Sequence, residues 1–221
     1  MARNVKTPLA ACFVCAVALG LLTLLALGLA AGRHLDARIF LRLAEDQPNR
    51  GTLAEAIATL ADPLPLLAML AVACLVGLLR GRPGGALAAV LVVAGANVTT
   101  QLLKVLLAHP RIKLAIGGDP FEPNTFPSGH TTAAASIAIG YLFVVPAALR
   151  KLTLTVGATF TLAVGYSVVA IGWHYPSDVL GGILVAVGWG LAVLAAMRAI
   201  APPQPAGGGR QLSSPAAISV K

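Results

Sequence analysis

The sequence predicts an all-α membrane protein with six transmembrane helices and short surface helices in the first outer loop. Three observations predict it. Of 221 residues, 57% are hydrophobic and 11% charged, less than half of the ~25% charge of a soluble globular domain. Mean hydropathy is +0.85. Uncharged runs occupy 7–32, 63–79, 83–103, 123–149, 152–173 and 179–197, each long enough for the ~17–25 residues that cross a ~30 Å hydrocarbon core.

Charge sets the expected orientation. The N-terminal segment (Arg3, Lys6), the second connector (Arg80, Arg82), the fourth connector (Arg150, Lys151) and the tail (Arg198, Arg210, Lys221) hold no acidic residue. All 8 acidic residues (Asp36, Glu45, Asp46, Glu55, Asp62, Asp119, Glu122 and Asp178) fall on the other side, together with Arg33, Arg38, Arg42 and Arg50. Lys and Arg accumulate on the cytoplasmic face. Both termini are therefore expected in the cytoplasm, in a bacterial plasma membrane given the Ala-rich, Arg-over-Lys composition. The net charge of +8 forms no basic stripe with interleaved aromatics, so nucleic acid is not an expected partner. Cys12, Cys15 and Cys74 lie inside apolar runs, which argues against a disulfide framework.

Taken in order, the run 7–32 exceeds the ~7–15-residue apolar core of a signal peptide and reads as a span. In the loop 33–62, Leu35, Ile39, Phe40 and Leu43 recur at helical spacing. Thr52-Leu53-Ala54-Glu55 reads as a capping box opening a second helix, with Leu53, Ile57 and Leu60 on one face. These are helices lying on the membrane surface, or a lid or lipid-entry wall beside an outer site. Residues 1–200 form one six-helix domain. The tail 201–221 is rich in Pro, Gly, Ser and Ala and is expected to be disordered and cytoplasmic.

Three polar islands interrupt the runs on the outer side. Lys104 and Arg111 stand seven apart, on about one face if the third helix ran through Pro110. Pro127-Ser128-Gly129-His130 opens the fourth span, where free backbone N–H groups attract anions. Ser128 is there either a plain helix cap or a hydroxyl donor, and His130 either a snorkelling ring or a proton carrier. His174 and Asp178 are four apart, so a helix beginning there brings the carboxylate to the imidazole. That is a structural pair or an activated histidine. A metal site is the less favoured rival, since His130, His174 and Asp178 lack a Cys partner and a zinc-type spacing.

In these islands the sequence resembles the type 2 phosphatidic acid phosphatase superfamily, the membrane lipid phosphatases. The first motif of that family, Lys, six residues, Arg-Pro, is met by Lys104 and Arg111, with Ile112 in place of proline. The second is complete at Pro127-Ser128-Gly129-His130. The third, Ser-Arg, five residues, His, three residues, Asp, reads Ser167-Val168, then His174 and Asp178. The resemblance implies that His174 attacks phosphorus and Asp178 orients it. It implies that His130 protonates the leaving oxygen and later activates water. Lys104, Arg111, Ser128 and Gly129 match phosphate-binding positions, and no metal or other cofactor is implied.

The departure is Val168, where the family has a phosphate-clamping arginine. No Lys or Arg lies between Lys151 and Arg198 to restore it. Lys113 and His109 are auxiliary candidates from the neighbouring loop. The expected function is hydrolysis of a phosphomonoester or diphosphate of a lipid: a prenyl phosphate, phosphatidic acid or phosphatidylglycerol phosphate. The alternatives are a catalytically weakened lipid-phosphate binding protein and a phosphotransferase using the same residues.

Overall fold

The computed structural model describes residues 4–44, 51–108 and 125–200. Among them are eight α-helices and no strand: α1 (Lys6–Thr23), α2 (Ala30–Ala44), α3 (Gly51–Thr59), α4 (Pro63–Leu79), α5 (Pro83–Leu106), α6 (Gly129–Val144), α7 (Arg150–Ala170) and α8 (Pro176–Ile200). The protein is all-helical, as its apolar runs require. Lys6–Gly28, Pro83–Leu106, Ala147–Ala170 and Pro176–Ile200 are each long and apolar enough to cross a bilayer. A fifth candidate is the pair Thr52–Thr59 and Pro63–Leu79, bent by 48° at its break.

The helix expected as the fourth span is the short one. α6 has 16 residues, about 24 Å at ~1.5 Å per residue, less than the hydrocarbon core. It is also the centre of the bundle, packed against α4, α5, α7 and α8. Its buried side chains are small: Thr131, Thr132, Ala133, Ala134, Ala135, Ser136 and Gly140, with Ile137 and Val144. Leu9, Phe13, Leu64, Leu79, Leu102 and Leu162, by contrast, are exposed on the periphery. That is the arrangement of a bundle in lipid, where small residues bring helices close and large apolar ones face the acyl chains.

The run 7–32 is not one continuous helix. After α1 a π-helical turn, Leu24–Gly28, ends at Leu29, whose φ of −100° and ψ of 131° are extended. Arg33 Nη1 donates to the Leu27 carbonyl at 2.8 Å, a cation placed on carbonyls freed at a helix end. Residues 30–32 thus open α2 instead of closing α1.

The expected loop helices are present. In α2, Phe40 is fully buried with Ala37, while Leu35 and Ile39 are exposed. In α3 the buried face is Ala54 and Ala58, continuing to Ala61, and Leu53 and Leu60 point outward. Ile57 of the expected apolar face packs against the core beside Ala58, and α3 packs on α7 through its small residues, as in the bundle. Thr52 lies inside α3, which already includes Gly51, so the expected capping box does not form the helix start. α5 stops at Leu106, before Pro110, so no continuous helix carries Lys104 through to Arg111. His109, Arg111, Lys113 and the tail 201–221 lie outside the described residues.

Candidate active site

The start of α6 builds one wall. Ser128 is its N-cap, with φ −67° and ψ 120°. Its fully buried Oγ accepts from Thr131 N at 3.4 Å and from Thr131 Oγ1 at 3.1 Å. Both bonds use oxygen lone pairs, so neither consumes the hydroxyl proton. The remaining N–H groups of the first turn are the free donors that favour an anion. Gly129 stands at that turn beneath Lys104 of α5: a Cβ on Gly129 would lie 3.6 Å from Lys104 Nζ.

The end of α7 builds the facing wall. Gly172 has φ +83°, the left-handed conformation that closes a helix at little steric cost to glycine. Gly172 N then bonds to Val169 O at 3.0 Å and Trp173 N to Val168 O at 2.9 Å, the two hydrogen bonds of a Schellman C-cap. The next amide, His174 N, bonds to the same Val168 oxygen at 3.1 Å. The imidazole is therefore set by a helix terminus.

α8 supplies the third wall. Asp178 is fully buried in its first turn, where the helix dipole favours a carboxylate. Asp178 Oδ2 accepts from Tyr175 N at 2.9 Å, the backward reach of a capping residue. The same oxygen lies 3.4 Å from His174 Nδ1. An ionised carboxylate only accepts, so it fixes the proton on Nδ1 and leaves Nε2 for chemistry. His174 precedes the helix, so the pair meets through the cap and not along one helical face. Ser128 N bonds to Asp178 O at 2.9 Å, tying the α6 start to the α8 start. A Cβ on Gly182 would fall 2.7 Å from Ser128 O, so only glycine there allows this approach.

These walls bring Lys104, Ser128, Gly129, His130, His174 and Asp178 into one cluster. The His130 and His174 rings stand edge to face with centroids 6.3 Å apart, and Trp173 lies 5.3 Å from His130. The Val168 side chain is fully buried in a core with Ala133, Ala134, Ile137 and Val164.

Two carboxylates at the site were not singled out by sequence reasoning. Asp62 Oδ1 lies 3.0 Å from His130 Nε2. Asp36 of α2 accepts from Ser177 N at 3.0 Å and from Ser177 Oγ, which anchors α2 beside Asp178. The available signal was weak: both belong to the acidic set assigned to the outer side, and Asp62 precedes Pro63 at a span entrance.

The PAP2 superfamily model matches residues 85–201, a stretch that contains every described residue of this cluster except Asp62 and Asp36. Undecaprenyl-diphosphatase BcrC of Bacillus subtilis (strain 168) is 43% identical over 63 residues, 28% of this chain and 30% of that protein. The matched stretch thus spans under a third of that relative's length. The fold is similar to the crystal structure of the first transmembrane PAP2 type phosphatidylglycerolphosphate phosphatase from Bacillus subtilis, with TM-score 0.72 and 21% identity, covering 86% of this chain and 97% of that one. It is also similar to Aquifex aeolicus LpxE, with TM-score 0.57 and 21% identity over 72% of this chain and 94% of that one. With the family model covering more than half of its length, the chain belongs to the PAP2 superfamily.

Proposed function

We propose that this protein is an integral membrane lipid-phosphate phosphatase working through a phosphohistidine. One observation carries the reading: the carboxylate-held His174 faces His130 across 6.3 Å, beside the α6 start and Lys104. That spacing puts both rings within reach of one phosphoryl group.

His174 Nε2 attacks phosphorus, and an N–P bond forms as the bond to the lipid-side oxygen breaks. Protonated His130 gives its proton to that oxygen. In the second half neutral His130 takes a proton from water, the water oxygen bonds to phosphorus, and the N–P bond breaks. Phosphate leaves, with His130 protonated and His174 restored. The histidine nucleophile divides one displacement into two. Lys104, Ser128, the Gly129 amide and Arg111 bind the equatorial oxygens, where phosphoryl transfer most needs positive charge. His109 and Lys113 are auxiliary cations in place of the arginine absent at Val168. No metal takes part.

Residues 1–200 make six crossings, with α6 the short central one, both termini cytoplasmic and the site at the outer face of a bacterial plasma membrane. The 201–221 segment is a disordered cytoplasmic tail. The relative named undecaprenyl-diphosphatase supports a polyprenyl diphosphate as first substrate, ahead of phosphatidylglycerol phosphate and phosphatidic acid. The fully buried Val168 favours one second reading, a weakened member that binds lipid phosphate without turning it over, or passes phosphate to another hydroxyl.

The test is phosphate release from these three lipids in detergent with EDTA present. The expected outcome is release by the native chain, with at least a 1,000-fold loss in His174→Ala, on the order of what removing a covalent nucleophile costs. Binding without release supports the second reading, and loss of activity with EDTA overturns the metal-free mechanism.

A further inference from the structure

We infer that Asp62 is the positioning carboxylate of His130, so that the site contains two His–Asp pairs, one for the nucleophile and one for the acid–base. The inference rests on the phosphatase reading above. Asp62 is the residue that caps α4, yet its side chain makes no cap hydrogen bond to that helix. Asp is among the best N-cap residues, so this carboxylate forgoes its ordinary local bond. It reaches instead to a residue 68 positions away, with Oδ1 at 3.0 Å from His130 Nε2. The neighbouring helix geometry favours that direction. α3 and α4 meet at 48°, and Asp62 stands at the elbow, held by Asp62 N→Thr59 O at 3.1 Å and Leu66 N→Asp62 O at 3.0 Å.

The chemistry asks for such a group. His130 must be an imidazolium to protonate the leaving oxygen, and it stands near other positive charge. Lys104 approaches from α5, and His174 lies across the cleft with Asp178 behind it. A carboxylate in contact with Nε2 stabilises the imidazolium against Lys104, and it selects the Nε2–H form of the neutral ring. Nδ1 is then the nitrogen that exchanges its proton with the leaving oxygen and with water. Asp62 itself is 42% exposed, so replacing it removes no core contact.

The test is Asp62→Asn and Asp62→Glu beside His174→Ala, with kcat and KM followed across pH. A carboxylate extends the protonated form of His130 to higher pH. Asp62→Asn should therefore move the alkaline limb of kcat to lower pH by about one unit and lower kcat about tenfold, with KM little changed. Asp62→Glu should restore the limb. Nitrogen-15 NMR of the native protein, with His130 assigned through His130→Gln, gives a readout that needs no Asp62 variant: the neutral ring should be the Nε2–H tautomer. An unmoved alkaline limb in Asp62→Asn, or an Nδ1–H tautomer, overturns the inference. If His174→Ala still releases phosphate, it is the phosphatase reading that fails. If His174→Ala is dead and the alkaline limb of Asp62→Asn is native, only the role of Asp62 fails.

Discussion

At Gly129, an added methyl group would meet Lys104 Nζ at 3.6 Å and Gln101 Nε2 at 3.8 Å, ordinary contact distances. The protein itself therefore has space for alanine there, whereas on the proposed mechanism a phosphate would need that space. Gly129→Ala should keep the native unfolding midpoint in detergent and lower kcat/KM about tenfold or more, since small misplacements at a reacting centre are costly. Unchanged kinetics would remove the α6 amide from the phosphate cradle. At this scale much of the site was legible. Ser128, Gly129, His130, His174 and Asp178 stand in short local patterns, and each pattern needs only a few neighbouring residues to be recognised. Asp62 was not legible, because its partner is set by the packing of α4 against α6 and no local spacing records that contact. The dual use of Ser128 was legible only as an open choice: its Oγ caps α6, and the bonds that show this leave its proton available for a second role.

The helices were legible as apolar runs, but their faces were not. In α3 the expected apolar face of Leu53, Ile57 and Leu60 is divided: Leu53 and Leu60 are exposed, and Ile57 packs with Ala58 against the core. Amphipathic reasoning from water assigns the larger apolar residue to the core; lipid reverses the preference, because acyl chains solvate leucine while close helix packing rewards alanine. The break at Leu29 was hidden for a related reason, since hydropathy does not register a backbone turn inside an apolar run. On the proposed mechanism, the element that matters most to chemistry is the end of α7. Gly172→Ala forces a side chain into φ +83°, a strain of about 1–2 kcal/mol. Relief of that strain shifts the Trp173 and His174 amides off Val168 O. The expected result is a modestly lower unfolding midpoint with a disproportionate fall in kcat. A fall confined to stability would mean that the cap does not govern the nucleophile.

For the whole molecule, the unsettled quantity in the sequence was how many runs become crossings. Run length treats 123–149 as a generous span, whereas prolines at 127 and 146 bound the helix within it to 16 residues. Its neighbours compensate. α6 is enclosed by four helices, so its ends meet protein and not lipid, which is where short or interrupted helices are tolerated in a bilayer. The proposed six crossings require the loop helices and the C-terminal segment to be on opposite sides of the membrane. In a background with Cys12, Cys15 and Cys74 replaced by alanine, Glu55→Cys should react with an impermeant maleimide in intact cells, and Ser213→Cys only after lysis. Labelling of both before lysis would refute the assigned topology.

The Val168 oxygen carries a consequence of its own. It receives both Trp173 N and His174 N, and it belongs to the backbone, so no substitution at 168 deletes it. What holds the His174 backbone is thereby separated from what the side chain at position 168 packs against. A change of side chain at 168 is therefore felt first in the core around Ala133, Ala134, Ile137 and Val164, while the carbonyl that holds His174 stays in place. On the proposed mechanism, the backbone, and not the residue at 168, sets where His174 stands.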